Sequence, residues 1–138
     1  MLFLCTGNSA RSQMAEALLR MVGGDRWEVR SAGTAPAGLH PLTVAVLAEI
    51  GIDVSHAESK HLDRFIGEPW DFVITVCDQA NESCPLFPGE GRRLHWGFRD
   101  PAAVSGSEER RRAAFRRTRD EIRARIETFV AAPDRAAG

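Results

Sequence analysis

At 138 residues the chain has room for one domain that buries a core without disulfide staples, and its 43% hydrophobic and 27% charged content excludes disorder. A formal net charge of −1 excludes general attraction to nucleic acid, and the arginines from Arg110 to Arg125 alternate with acids and apolar residues as on a solvated helix face. No apolar run approaches the ~18 residues of a membrane span. Residues 1–4 lack the basic flank of a signal peptide, so a cytoplasmic location is expected, where thiols stay reduced and a disulfide is transient. Three cysteines, an odd number, do not make a static framework. Residues 1–138 are expected to form a single domain, monomeric and in contact with neither nucleic acid nor membrane.

In chain order, Leu2-Phe3-Leu4 reads as a short buried strand. Over residues 12–22, Met14, Ala17, Leu18, Met21 and Val22 fall at helical spacing, and Gly23-Gly24 stops the helix. Residues 27–32 predict a second strand, followed by a loop to His40. Pro41 suits the first turn of a helix that carries Val44, Leu47 and Ile50 inward, with Gly51 as its stop. A short helix is predicted over residues 60–66. Residues 70–76, β-branched and aromatic, predict the strongest strand. A loop rich in Pro and Gly leads to a weak strand over residues 93–96. The last helix is predicted from Ser105, with Ser105 and Glu108 as a capping box. Its inward face carries Phe115, Ile122, Ile126 and Phe129, and Glu108–Arg112 and Glu121–Arg125 are its i,i+4 pairs.

Strands alternating with helices predict an α/β fold, a parallel sheet with helices on both faces. Ligands of such sheets sit beyond the carboxyl ends of the strands. Cys5 follows the first strand and Cys77 the strongest. If these strands are neighbours, about 4.8 Å apart, both sulfurs open into one crevice.

The segment Cys5-Thr6-Gly7-Asn8-Ser9-Ala10-Arg11-Ser12 joins strand to helix. A Cys and an Arg six positions apart are a weak signal alone; the context strengthens it. Gly7 permits dihedrals closed to other residues and Asn8 tolerates the left-handed region, so successive N–H groups can turn inward as an anion nest at a helix N-terminus. Arg11 can grip two oxygens of a tetrahedral anion. The same positive field favours a Cys5 thiolate, to which Ser12 can donate. The alternative makes Cys5 a small buried hydrophobe and Ser9 or Ser12 a helix cap.

This loop resembles that of low-molecular-weight protein tyrosine phosphatases. Extended through Gln13-Met14-Ala15-Glu16, it is similar to thioredoxin-coupled arsenate reductases built on that fold. The resemblance continues through Val76-Cys77-Asp78 and Cys84-Pro85 to His95-Trp96-Gly97-Phe98-Arg99-Asp100-Pro101-Ala102, and so covers nearly the whole chain. It implies a four-stranded parallel sheet flanked by helices. It also implies that Cys5 attacks arsenate while Asp100 protonates the leaving oxygen, that Cys77 then attacks Cys5 and expels arsenite, and that Cys84 resolves the disulfide for reduction by thioredoxin. Phosphate or sulfate would be substrate analogues, and no tightly bound cofactor is implied.

A Cys77–Cys84 disulfide needs Cα atoms closer than about 7 Å, whereas seven helical steps span roughly 10.5 Å. Helix over residues 78–84 would therefore have to unwind, and Pro85-Leu86-Phe87-Pro88-Gly89 suits a segment that rearranges. Read without the resemblance, Cys77 and Cys84 are inert thiols or zinc ligands with His95, although six intervening residues do not match the usual zinc spacing. No metal site is expected, and surface or capping roles are expected for His40, His56, His61 and His95. Some relatives use the region of Asn8, Glu16 and Ser31 for a monovalent cation, and the sequence commits to no ion there. Arg99 departs from the resemblance, standing where relatives often carry an acid.

A phosphotyrosine phosphatase is the alternative enzyme. It needs an aromatic wall beside the loop, but the chain has no Tyr, and Ala102 and Ala103 follow Asp100-Pro101. A non-enzymatic arsenite sensor is the third reading, without a DNA-reading motif to accompany it.

Overall fold

The computed structural model describes residues 1–82, 84, 87–89 and 91–133. Four strands, β1 (Leu2–Cys5), β2 (Arg30–Gly33), β3 (Phe72–Thr75) and β4 (Arg92–His95), form one sheet in the order β2-β1-β3-β4, every pair parallel. Side chains alternate between the faces of a strand, and all four of β1 are buried, so both faces of the sheet are covered. The register sets Leu4 opposite Thr75, which brings the chain beyond β1 and the chain beyond β3 out side by side.

Helix α1 (Arg11–Gly23) is close to expectation, as Gly24 at φ +60 ends it. Only Arg30 onward joins β2. Gly24–Arg26 form a 3-10 turn, and the Trp27 indole is drawn instead into a cluster with Phe72 and Phe129, at ring centroid distances of 6.1 and 5.6 Å. Helix α2 (Pro41–Ala48) starts at Pro41, but it buries Leu42, Thr43, Val46 and Leu47 rather than Val44 and Ile50. The helix predicted over residues 60–66 is a 3-10 turn, Leu62–Arg64. Tertiary bonds override it: Lys60 N donates to Asn8 Oδ1, Lys60 O accepts from Gly33 N, and His61 bridges Gly33.

Helix α3 (Asp78–Glu82) follows Cys77 and is shorter than the 78–84 considered from sequence; Pro85 and Leu86 lie outside the described residues. Helix α4 (Glu108–Ala131) is capped by Ser107, whose Oγ accepts from Arg110 N at 3.1 Å. Gly106 at φ +116 turns the chain after Ser105, which moves the cap two residues on from the predicted one. Phe115, Ile122, Ile126 and Phe129 are all buried, each worth roughly 1.5–3 kcal/mol of apolar transfer. Arg112 pairs with Glu108 at 3.5 Å, whereas Arg125 lies over the Trp96 ring, 5.3 Å from its centroid. Arg116 and Arg119 clasp Glu49 just past the end of α2 at 2.6 and 2.9 Å, and Arg119 also donates to Val46 O. No helix among the described residues is long and apolar enough to cross a membrane.

Candidate active site

The loop between β1 and α1 is held from outside by its carbonyls. Thr34 N donates to Cys5 O, Ala35 N to Thr6 O, Ala37 N to Gly7 O and His40 N to Ser9 O. Ser59 Oγ adds a bond to Gly7 O, Gln13 Nε2 one to Asn8 O, and Thr43 Oγ1 one to Ser9 O. With each carbonyl directed outward, the N–H side of each peptide is turned toward the loop's interior. The positive φ that shapes the turn falls on Asn8, at 46°, and not on Gly7, correcting the expectation for that glycine. No side chain among the described residues caps α1, so the expected alternative of Ser9 or Ser12 as a helix cap is not realised and the first-turn N–H groups face the loop.

Cys5 lies at the base of this cup, 3% exposed. Its Sγ accepts from Asn8 N at 3.1 Å and lies 2.8 Å from Ser12 Oγ. Ser12 Oγ accepts from Asn8 Nδ2 at 2.8 Å, so the hydroxyl proton is free to point at the sulfur. Asn8 is fully buried. Its Nδ2 also donates to Ser31 Oγ at 3.0 Å, and its Oδ1 takes Gln13 Nε2 and Lys60 N at 3.1 and 2.7 Å, which fixes the orientation of the amide.

Cys5, Thr6, Gly7, Ser9, Ala10, Arg11, Asp100 and Ala102 line a cavity of about 280 Å³. Asn8 and Ser12 lie behind its wall and act on Cys5 from beneath. Arg11 Nη1 donates to Phe98 O at 3.0 Å, and its Nη2 stands 3.9 Å from Asp100 Oδ2. Asp100 is extended, as Pro101 requires, and Ala102 N donates to its Oδ1, which leaves Oδ2 toward Arg11. Arg99 is exposed beside it. A larger hollow of about 750 Å³, lined by Met1, Trp27, Trp70, Asp71 and Arg92, lies at the amino ends of the strands, away from this chemistry.

Cys77, 5% exposed, has its Sγ 3.4 Å from Thr6 Oγ1, so one loop residue reaches both the cavity and the second thiol. Cys84 is elsewhere. It is half-buried by a hollow of about 200 Å³ lined also by Trp70, Val73 and Phe87. Burial pushes its thiol above the ordinary cysteine value, with Arg93 opposing. All three cysteines are reduced. Both nitrogens of His95 are engaged, Nδ1 with Thr75 Oγ1 and Nε2 with Asp78 Oδ1, each at 2.8 Å, which argues against the zinc reading. His40 and His61 cap Leu42 N and Asp63 N, as expected of them.

Glu16 gives Oε2 to Arg20 at 3.0 Å, while its buried Oε1 has no hydrogen-bond partner among the described residues. Lys60 Nζ lies 4.0 Å from that oxygen and donates to Glu58 O. The Lys60 ammonium thus faces the Glu16 carboxylate itself, and Asn8 Oδ1 is filled by two N–H donors. These residues do not fit a further ion.

Sequence reasoning missed Gly33. A Cβ there would run into the Thr6 carbonyl and lie 2.9 Å from Asn8 N, so the end of β2 supports the loop only as glycine. Glycine closing a strand was the available signal. Gln13, Thr43 and Ser59 carried no local signal, because their partners are distant in the chain.

The model for low molecular weight phosphotyrosine protein phosphatases matches residues 1–136. The chain belongs to this family. Within it, the chain is 48% identical to the arsenate reductase of Halalkalibacterium halodurans over 128 residues, 93% of this chain and 92% of that protein. An arsenate reductase structure from Archaeoglobus fulgidus superposes with a TM-score of 0.76 at 29% identity, covering 94% of this chain and 98% of that one. A thioredoxin-dependent arsenate reductase from Corynebacterium glutamicum gives a TM-score of 0.71 at 32% identity, covering 95% and 59%. The low-molecular-weight phosphatase fold expected from the loop motif is the fold of this chain.

Proposed function

We propose that this chain is an arsenate reductase that reduces arsenate to arsenite by a three-cysteine relay, with thioredoxin as electron donor. One observation carries the reading: the Cys5 sulfur lies at the base of an inward-turned amide cup, and Thr6 of that cup touches the Cys77 sulfur.

A tetrahedral dianion seated over Cys5 meets the N–H groups of the loop from Thr6 to Ser12 and the fork of Arg11, once Arg11 leaves Phe98 O. The Cys5 thiolate, held by Asn8 N and Ser12 Oγ, attacks arsenic, and Asp100 protonates the oxygen that departs as water. Cys77 then attacks Cys5 Sγ. The S–As bond breaks with its electron pair remaining on arsenic, so As(V) becomes As(III) and a Cys5–Cys77 disulfide forms. Cys84 attacks Cys77 and Cys5 leaves as thiolate; thioredoxin reduces the Cys77–Cys84 disulfide. Cys84, kept as a thiol by burial beside Trp70 and Phe87, has to travel to Cys77, so the chain between them rearranges during turnover.

The reaction calls for no bound cofactor, and the Lys60 ammonium makes added potassium or sodium dispensable. Phosphate and sulfate are expected to compete with arsenate for the cup. A monomeric cytoplasmic protein that binds neither membrane nor nucleic acid fits this chemistry. A phosphotyrosine phosphatase shares the loop and the acid, but none of the described residues lining this cavity is aromatic, which suits a small inorganic anion better than an aryl ester. The test is arsenate-dependent oxidation of NADPH in the presence of thioredoxin and its reductase. Sustained turnover is expected for the wild type, and at most one turnover for Cys84→Ser. Hydrolysis of an aryl phosphate without any arsenate-dependent oxidation would replace this reading with the phosphatase one.

A further inference from the structure

Beyond the cup, one side-chain chain joins three elements around Cys77. Thr75 ends β3, His95 ends β4 directly opposite it, and Asp78 opens α3 immediately after Cys77. Thr75 Oγ1 lies 2.8 Å from His95 Nδ1, and His95 Nε2 lies 2.8 Å from Asp78 Oδ1. An ionised carboxylate only accepts, so Nε2 carries the proton; the Thr75 hydroxyl lies within reach of both Nδ1 and Leu94 O, the latter at 3.4 Å. Gly97 makes room for the contact: a Cβ there would lie 3.3 Å from His95 Nε2 and 3.5 Å from Asp78 Oδ1. The chain runs on from His95 to Phe98, whose N donates to Val76 O and whose O holds Arg11.

The Asp78 side chain is 89% exposed, and a contact this open adds little to global stability. Its place matters more than its strength. It fastens the amino end of the helix that leads away from Cys77, while the other end leads toward Cys84, which must move. We infer that His95 is a positioning residue for the relay: through Asp78 it holds the start of α3 on β4, so that Cys77 stays at the oxyanion loop while the chain beyond α3 delivers Cys84. This rests on the reductase reading. The two exchanges concerned are balanced without a further reactant. In the first, the Cys77 thiolate bonds to Cys5 and the S–As electron pair passes to arsenic. In the second, the Cys84 thiolate bonds to Cys77 and the Cys5–Cys77 bond breaks with its pair leaving on Cys5.

The test compares steps that use Cys77 with binding that does not. In a Cys84→Ser background, His95→Ala is expected to slow the single-turnover release of arsenite roughly fivefold. Asp78→Ala should have the same effect and the double variant no more than either, while His95→Gln, whose amide still donates to Asp78, should return to within about twofold of the parent. Inorganic phosphate should protect Cys5 from iodoacetamide equally well in all of them, because the cup is untouched. Hydrogen exchange across residues 78–82 should quicken in His95→Ala, a readout that needs no arsenate. A wild-type protein that releases no arsenite sinks the reductase reading, and this inference with it. A normal wild-type burst that His95→Ala leaves unchanged, or slows by the same factor as it weakens phosphate protection, sinks the positioning role alone.

Discussion

The Thr6 hydroxyl stands 3.4 Å from the Cys77 sulfur, although the two residues are 71 positions apart in sequence. The parallel pairing of β1 with β3 produces this meeting, because it brings the chain past each strand out on the same edge of the sheet. Thr6 therefore links the oxyanion cup to the second thiol. Thr6→Val, which keeps the shape and removes the hydroxyl, is expected to slow single-turnover arsenite release about fivefold, the worth of one net hydrogen bond. Thr6→Ser should restore it. Rapid-quench arsenite assays on the three proteins check this.

Gly33 supports the cup from β2. Gly33→Ala would press a methyl group into the Thr6 carbonyl and Asn8 N, which are backbone atoms without rotamers to yield. The expected result is a destabilisation of ~1–3 kcal/mol with a much larger loss of activity. Urea unfolding and the coupled arsenate assay, run side by side, measure the two effects.

Glu49 gives the fold its clearest pH signature. Hydrogen bonds from Arg116, followed against burial by those from Arg119, hold its carboxyl at about 2, below the ordinary glutamate value of 4.5. The folded value lies below the unfolded one, so the stabilisation is complete above about 4.5 and is lost as pH falls toward 2. Glu49→Gln should lower the melting temperature at neutral pH and narrow its difference from wild type as the solution is acidified through that window. Thermal melts from pH 7 to 2.5 test it; a gap that widens on acidification would contradict the assignment.

Much of this was legible in the sequence because the signals were local. The strand–loop–helix around Cys5 announces itself within eight residues, and β3 by its run of β-branched and aromatic side chains. The errors arose where distant partners decide. Residues 60–66 look helical, yet Asn8 and Gly33 take the backbone of Lys60 and leave only a 3-10 turn. Ser105 and Glu108 spell a capping box, yet Gly106 redirects the chain and Ser107 becomes the cap. Gly7 and Asn8 both read as residues that turn the loop, but only Asn8 takes the left-handed conformation, where four side-chain bonds hold it. The hollow beside Cys84 was similarly beyond the sequence, since it depends on Trp70, Val73 and Phe87 meeting around it.

Disulfide mapping after a single encounter with arsenate tests the relay most directly. Reduced protein is mixed with one equivalent of arsenate without thioredoxin, quenched in acid, alkylated and digested, and the arsenite is counted. Wild type is predicted to yield one arsenite per chain and a Cys77–Cys84 disulfide, and Cys84→Ser one arsenite and a Cys5–Cys77 disulfide. Arsenite released while Cys5 and Cys77 both remain alkylatable, or no arsenite from fully reduced protein, would contradict the account.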